Sequence, residues 1–404
     1  MTRILVALAL TVLCAFPAWT QETTEDNRKV QFHGFFSQGI VRTDGNNWLT
    51  MQNGDQWSTD FTEFGGNLWK EFTDKLRVGA QIYDRKLGEL GQWHPQLDWA
   101  VVSYKFRPWL GLRVGKVKTV LGLYNDTQDF DFLHTPVLLP QSVYPTDVRD
   151  TTIAHVGGDL YGDVTLGDNG GTLSYTVYSG RRNDSEDGGY AYLLGDLPQT
   201  TKKAFNYMRG GQMGWDVRWA APVAGLLIGV SRIDEDISAR FGEGTPIKTT
   251  LSTTFNWTNQ FYVQYRWNNL QIDSEYREVK RNVVVDGPTA CRCLNPEFLT
   301  HVQGWYVGAS YQFAQKFHVG SYYSNYEIDI PPNLAVPPGQ GHDYSKVVTF
   351  RYDVNRHVNV KVEGHFMDGY GLARIYPNGF YRKDNPQGLK DNTNALIIKT
   401  SVAF

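Results

Sequence analysis

The last eleven residues of the chain, Asn394-Ala-Leu-Ile-Ile-Lys-Thr-Ser-Val-Ala-Phe404, alternate between two kinds of side chain. Large and mostly apolar side chains stand at every second position, with smaller or more polar ones between them. Because successive side chains of a strand point to opposite faces, the stretch predicts a strand with one apolar and one polar face. Such a strand suits a wall between hydrocarbon and water, and it also suits a soluble β-sandwich.

The beginning of the chain has the pattern of a secretory signal peptide. Arg3 is the only charge before the apolar run from Ile4 to Phe16, and Ala18 and Thr20 are small residues suited to a cleavage site. The run is shorter than the roughly 20 residues that a spanning helix needs. We predict a signal peptide over residues 1–20, a short polar segment over residues 21–29, and export of the remaining chain.

Composition argues against nucleic acid or another polyanion as a partner, because 39 Lys and Arg stand against 42 Asp and Glu. The mean hydropathy is −0.40, although the sequence contains 12 Trp, 23 Tyr, 21 Phe and 40 Gly. A barrel whose strands turn half of their side chains to water has a low mean hydropathy, and interfacial aromatic residues and small strand residues explain both excesses.

Beyond the signal peptide, the chain has two cysteines, Cys291 and Cys293. Their spacing is too tight for a usual bridge, so no disulfide framework is predicted for this exported protein. A strained local disulfide, a pair of free thiols and a metal contact all remain open for this pair.

Amphipathic segments recur along the whole chain, and we count sixteen of them. Short links alternate with long ones rich in Gly, Pro, Asn and Asp, as in a closed antiparallel barrel with both chain ends on one side. We therefore predict an all-β transmembrane barrel over residues 30–404. The predicted strands lie near 30–41, 61–72, 75–85, 96–106, 110–120, 151–166, 171–181, 207–219, 225–235, 248–267, 270–281, 301–313, 316–328, 344–354, 357–368 and 394–404.

One long link, residues 121–150, contains no convincing strand and mixes acidic with apolar side chains. Structureless segments of this length in compact folds are usually functional. Its apolar residues, such as Phe130 and Leu138, predict that it packs against other parts of the protein.

The strand that enters this link, Leu112-Arg-Val-Gly-Lys-Val-Lys-Thr-Val-Leu-Gly-Leu123, resembles the Gram-negative outer-membrane porins, including the general trimeric and the phosphate-selective-like ones. The short Arg-x-Gly-Lys-x-Lys motif is followed here by Thr119-Val120, where a Pro is common. In that family the third loop folds back into a sixteen-stranded barrel and narrows it.

The resemblance implies a water-filled channel of the outer membrane for passive diffusion of small polar solutes or ions. It also implies a homotrimer in outer-membrane lipid, no enzymatic activity and no cofactor. A terminal aromatic residue such as Phe404 is, in that family, the recognition signal for the barrel-assembly machinery. The resemblance does not indicate which solute is transported.

By the same resemblance, Asp126, Asp129 and Asp131 lie on a folded-in constriction loop and face basic wall residues. Opposed charges across a narrow passage favour small polar solutes. Alternatively, the basic residues pair with acids on neighbouring strands, or the three aspartates hold Ca²⁺, although their spacing lacks the pattern of a dedicated calcium loop. Since alternate residues of a strand face the same side, the basic residues predicted to face the lumen from the wall are Arg77, Arg113, Arg266, Arg277, Arg351 and Lys361. Parity leaves the side of Lys116 and Lys118 undecided.

Functions different from a general channel stay open at this point. A barrel hydrolase would need a nucleophile, and Gly-x-Ser-x-Gly is absent from the sequence. Glu363 and His365 on a predicted inward face are the pair most easily mistaken for a catalytic one. A substrate-specific channel with a lumenal binding site and a structural barrel with a plugged lumen are also compatible with the strand pattern.

Overall fold

The computed structural model describes residues 30–194, 205–243, 248–287, 297–330, 336–371 and 378–404. The predicted signal peptide, the predicted polar segment at 21–29, and both Cys291 and Cys293 lie outside the described residues. Among the residues that are described, no helix is long and apolar enough to cross a membrane.

Strands dominate the described part of the chain. Their bounds are Gln31–Thr43 (β1), Ser58–Glu71 (β2), Leu76–Leu87 (β3), Gln96–Arg107 (β4), Leu110–Lys118 (β5), Ala154–Thr165 (β6), Thr172–Asn183 (β7), Phe205–Ala220 (β8), Leu226–Glu235 (β9), Ser238–Phe241 (β10), Thr249–Trp267 (β11), Leu270–Asp286 (β12), Glu297–Ala314 (β13), Phe317–Ile328 (β14), His342–Asn355 (β15), Val358–Gly369 (β16) and Asn392–Ala403 (β17). Two short helices, Arg149–Thr152 (α1) and Gly189–Leu194 (α2), lie in long links.

The sheet closes on itself through its first and last strands. Each strand pairs antiparallel with its neighbours in the wall, and β1 pairs with β17 from Phe35 opposite Ala403 to Thr43 opposite Ala395. The strands β9 and β10 both lie between β8 and β11, so they share one position in the wall. The architecture is therefore the predicted closed barrel of sixteen strand positions.

The prediction that the chain leaves the wall after residue 235 is wrong. Asp236 and Ile237 interrupt the ladder, and the strand then resumes as β10. The predicted strand ended at residue 235, but Ala239 and Phe241 are buried in a hydrophobic cluster with Val148, Tyr190 and Met208. Burial of these side chains keeps the extension paired with β8 and β11.

A smaller error concerns the start of the sixth strand, predicted at residue 151. Residues 149–152 instead form α1, whose helical turn is closed by the Ile153 amide donating to the Arg149 carbonyl at 3.0 Å. The strand β6 begins only at Ala154.

The two faces of the wall differ in polarity, as the period-two alternation predicts. On one face, large apolar side chains are 41–56 % exposed, among them Ile82, Val114, Phe261, Phe350 and Leu396. The opposite face, toward the barrel interior, carries polar side chains that are almost completely buried, among them Gln81, Gln260, Lys361, Glu363 and Lys399. Since hydrocarbon accepts the first set and not the second, the exposed face suits contact with lipid.

Aromatic side chains are exposed beside the short links. Phe72 and Trp267 stand next to two of these links, and Phe106, Trp109 and Phe313 next to others. Aromatic residues at this level form the belts that mark a membrane interface. The opposite ends of the strands carry the long links.

Phe404 closes the barrel at its short-link end. Its amide and carbonyl each form a hydrogen bond with the backbone of Gly34, at 2.9 and 2.8 Å. The ring occupies the space above Gly34, where an added Cβ would come within 2.5 Å of the ring, and it lies 6.0 Å from the ring of Phe32. Even so, Phe404 is 62 % exposed.

We predict that Phe404→Ala lowers the amount of assembled protein in the outer membrane, but not the folding of purified protein in detergent. The variant keeps both backbone hydrogen bonds to Gly34 and removes only the exposed ring, which is what an assembly factor would bind. Heat-dependent mobility on a detergent gel measures the folded fraction in both settings. Phe366→Ala, which removes a similarly exposed aromatic ring from β16, is the control. Normal cellular levels of Phe404→Ala would contradict the assembly role.

Candidate functional site

The 121–150 segment contains no strand and contacts the polar, buried face of the wall at several separate places. The chain turns out of the wall at Gly122, whose φ of 66° favours glycine and whose amide donates to the Ser231 hydroxyl at 2.9 Å. An added Cβ there would lie 1.9 Å from the amide nitrogen of Gln260. Gly122 therefore sets the direction in which the segment leaves β5.

The first group of contacts is ionic and joins the segment to β16 and β17. Asp131 lies 3.0 Å from the Lys361 ammonium and 3.2 Å from that of Lys399, and it accepts a hydrogen bond from Ser401 at 2.7 Å. Lys399 also lies 2.7 Å from Glu63 on β2. Burial alone would raise the pKa of the Asp131 carboxyl, but the two lysines hold it well below its usual range.

Lys361 also binds the backbone of the segment. Its ammonium donates to the carbonyls of Asp131, His134 and Pro136 at 2.8, 2.9 and 3.1 Å. The side chain is fully buried. One wall lysine therefore fixes the path of residues 131–136.

Glu363, two residues further along β16, holds the next turn of the segment. Its two oxygens accept the amides of Val137 and Leu138 at 2.7 and 3.0 Å, and also bonds from Thr349 and His365. A carboxylate that accepts backbone amides fixes a loop much as a cap fixes a helix end. Glu363, one of the two residues most easily mistaken for a catalytic pair, thus holds the segment, and His365 contacts Glu363.

Glu275 on β12 forms a third anchor. It accepts the amide of Leu123 at 3.0 Å and the hydroxyls of Tyr144 and Tyr306 at 2.7 and 2.8 Å, and Gln260 donates to it at 2.7 Å. Both ends of the segment therefore meet at one buried carboxylate.

A fourth anchor lies on the side of β3 and β5. Asp129 is 2.7 Å from the Lys118 ammonium, lies 3.9 Å from Arg149, and accepts a hydrogen bond from Gln81. Burial alone would raise the pKa of Asp129, but Lys118 and Arg149 lower it below its ordinary value. This contact settles the side of Lys118, whereas Lys116 donates to the Leu97 carbonyl on β4.

The predicted site residues divide into those that meet the segment and those that do not. Arg351 donates to the carbonyls of Phe132 and His134, and Arg277 donates to that of Val143. With Lys361, these are the predicted wall bases that the structure brings to the segment. For Asp126, the backbone carbonyl, not the carboxylate, accepts a hydrogen bond from Lys118.

The other three predicted wall bases contact other parts of the wall. Arg113 pairs with Asp159 on β6 at 2.8 Å, and the Nε of Arg266 donates to Gln271 at 2.9 Å. Arg77 lies over the ring of Trp69, 3.9 Å from its centre. Pairing with an acid on the neighbouring strand was the alternative left open, and Arg113 follows it, as does Arg77, whose Nε lies 3.8 Å from Glu71 on β2.

Several residues that anchor the segment were not among the predicted site residues. Lys399 stands on the polar face of the terminal strand, and Glu275 on the polar face of β12, so the alternation already placed both inside. Nothing in their spacing pointed to the segment as partner. Arg149 belongs to the segment itself and lies 3.0 Å from Asp98 on β4, which no sequence pattern indicated.

Two cavities border the segment. One, about 580 Å³ with its opening to solvent, lies between residues 133–140 and the strands β12–β15. The other, about 470 Å³, lies between the segment and the side chains of Phe61, Glu63 and Lys399. A hydrophobic cluster packs long-link residues against the segment. The cluster includes Trp48, Leu90, Leu138, Tyr370 and Phe380.

We predict that Lys361→Met loosens the segment without unfolding the barrel. The variant removes the donor to three backbone carbonyls and one of the two cations at Asp131. Loss of one partner from a buried ion pair costs about 3 kcal/mol. We expect this cost to lower the free energy of local opening of the segment. Hydrogen exchange of residues 131–138 should therefore rise. Lys346→Met, the same change at an exposed lysine of β15, should have no effect. Equal exchange in the two variants would contradict this anchoring role.

Acid should loosen the same segment through His134. Its Nε2 lies 3.1 Å from the Thr127 carbonyl, and burial lowers its pKa to about 4, below the 6.5 of a free histidine. Because the pKa of His134 is lower in the folded than in the unfolded protein, the neutral histidine is fully compatible with the folded segment above pH 6.5. This contribution to the stability of the segment is lost as the pH falls through 4. The loss amounts to about 3 kcal/mol at most. Asp131 stays ionised over this range.

The measurement is hydrogen exchange of residues 127–138 at pH 7 and pH 4, corrected for the intrinsic pH dependence of exchange. The excess opening at pH 4 should be present in the natural protein and absent in His134→Gln, which keeps an amide donor for Thr127. The same acid response in both proteins would show that another group is responsible.

Solved structures with the same architecture provide the comparison with known proteins. OmpT of Vibrio cholerae, as expressed in the outer membrane, is similar with a TM-score of 0.56 and 13% identity, over 95% of this chain and 99% of that chain. An anion-selective porin from Comamonas acidovorans gives 0.54 and 11%, over 93% and 99%. Salmonella typhi OmpF in complex with daunomycin gives 0.54 and 15%, over 94% and 98%.

No protein-family model matches the sequence, and no curated protein matches it. At identities of 11–15%, the structural similarity concerns the fold. It extends over nearly the full length of both chains in each comparison. The chain therefore shares the fold of these proteins, a closed antiparallel β-barrel of sixteen strand positions.

Proposed function

We propose that this protein is a narrow, porin-type channel through which small polar solutes or ions diffuse passively across the outer membrane. The observation that carries the proposal is the reversed polarity of the wall, which is apolar and exposed outside and polar inside. A sixteen-stranded barrel is wide enough to enclose water, and polar wall residues solvate it. Flux through such a channel follows the solute gradient and needs no cofactor.

In this proposal, residues 121–150 lie across the lumen as its constriction. Their anchors are distributed around the barrel, on β3 and β5 for Asp129, on β12 for Tyr144, and on β16 and β17 for Asp131. A segment that touches the inner faces of strands so far apart in the wall has to cross the space between them. The four buried anchors keep it there without a covalent link.

The size of the described cavities supports small solutes, and not large ones, as the substrates of the proposed channel. The two cavities beside the segment measure about 580 and 470 Å³, openings included. The hydrophobic cluster around Trp48 and Phe380 restricts the end of the barrel that carries the long links. We therefore expect a small conductance.

Two further properties belong to the same proposal. A similar solved structure of Vibrio cholerae OmpT is a trimer form. This similarity supports a homotrimer for the present protein. The exposed apolar face and the aromatic side chains at the short-link ends support outer-membrane lipid as the surroundings.

A hydrolase is the second candidate, because Glu363 and His365 lie 2.8 Å apart inside the barrel. The hydroxyl next to them, that of Thr349, donates to Glu363 and not to the histidine. A base has to reach the nucleophile's proton, and here the acid stands between the two. Both oxygens of Glu363 also hold the backbone of the segment, so the arrangement favours anchoring over catalysis.

The test is reconstitution of the full chain into a planar bilayer. We expect stable, voltage-independent steps of small conductance, and larger or noisier steps for Lys361→Met because its constriction is looser. Lys346→Met should behave like the natural protein. Folded, heat-modifiable protein that never conducts would overturn the channel, and lipid hydrolysis by that protein would favour the enzyme.

A further inference from the structure

The larger cavity carries a charge that the rest of the interior does not balance. It lies between residues 133–140 and the inner faces of β12–β15, and the small residues Gly308, Ser310 and Gly320 leave it open. Asp273 on β12 lines it from the side of the short links. The cavity therefore joins the segment to the short-link end of the barrel.

Neutral donors alone contact the Asp273 carboxylate among the described residues. Tyr124 and Gln271 donate to its Oδ2 at 2.6 and 2.8 Å. Its Oδ1 is buried and has no hydrogen-bond partner in the part of the chain that the structure describes. No ion pair within 4.0 Å is formed with the described basic side chains, so most of the negative charge stays uncompensated.

Two basic residues, on β11 and β15, are occupied elsewhere. Arg266 is separated from Asp273 by Gln271, to whose oxygen it donates, and it is exposed. Arg351 pairs with Asp353 at 2.7 Å and binds carbonyls of the segment. His134, which also lines the cavity, is neutral at pH 7 because burial lowers its pKa to about 4.

Glu275 and Glu363 also have no Lys or Arg partner among the described residues, but both oxygens of each accept hydrogen bonds, unlike Oδ1 of Asp273. Three further carboxylates of the interior pair with cations. Asp131 and Asp129 are paired with lysines, and Asp216 is paired with Arg218 at 2.8 Å. An acid with a cation beside it acts on a passing ion as a dipole, whose field falls faster with distance than that of a single charge. Asp273 acts as a single charge at the wall of an open cavity.

We propose that this cavity is a subsite for small monovalent cations, with Asp273 as the charge that attracts them. The inference rests on the proposed channel and gives it a substrate class. Ser310, Tyr124 and Tyr306 line the same cavity. Oxygen atoms replace part of a cation's hydration shell, and aromatic faces attract ammonium groups.

The test is the reversal potential of the reconstituted channel in a KCl gradient at pH 7. The natural protein should pass K⁺ in preference to Cl⁻. Asp273→Asn, which keeps an acceptor for Tyr124, should lower the permeability ratio of K⁺ to Cl⁻ by about fivefold, the effect of one unit charge at about 4 Å in water. Asp273→Glu should retain the preference of the natural protein.

Asp168→Asn is the control, because it removes the same charge from an exposed short link far from the cavity. A heat-modifiability gel checks that each variant is folded. Preference for Cl⁻ in the natural protein, or equal ratios for Asp273→Asn and Asp168→Asn, would overturn the cation subsite and leave the channel intact. Absence of conductance from folded natural protein would overturn the channel and the subsite together.

Discussion

Closure of the sheet between β1 and β17 is the constraint on which the rest of this structure depends. In hydrocarbon no water can satisfy a free backbone amide or carbonyl, so a sheet with an open edge would carry a large energetic cost across the membrane. Pairing of Phe35 to Thr43 with Ala395 to Ala403 removes that edge. Once the sheet is closed, every strand has an inside and an outside, and the alternation of side chains separates water from lipid.

A closed wall of this width leaves an interior that its own side chains do not fill. In the proposed channel, a single link occupies much of this space, and its acids, tyrosines and backbone amides bond to charged residues of the wall. The burial of Lys361, Glu363 and Lys399 is tolerable because each of them has a partner of opposite charge or several hydrogen bonds. Removing one partner would leave a buried charge in a poor solvent, so the anchors hold the link as a group.

The faces of the wall strands could be predicted from the sequence, but the contacts inside the barrel could not, for a physical reason. Strand faces repeat with a period of two, so Ile82 and Gln81 could be placed on opposite sides by counting. The contact of Asp131 with Lys361 and Lys399 joins residues more than two hundred positions apart, and no local pattern records it. Likewise, the predicted strand ended at residue 235, whereas the wall resumes at Ser238 because Ala239 and Phe241 pack against apolar residues that are distant in the sequence.

The charged residues that are conspicuous in the sequence are also not the ones that would act on a solute in the proposed channel. Asp129 and Asp131 are conspicuous acids of the link, yet both are paired with lysines that hold the link in place. Arg351 and Lys361, which seemed to face them across a passage, bind the backbone of the link. A charge used for anchoring is compensated at short range by its partner, so the field in the remaining space is set by groups left unpaired. In the proposed channel, the residues that hold the link in place and the residue that charges the passage are therefore different ones.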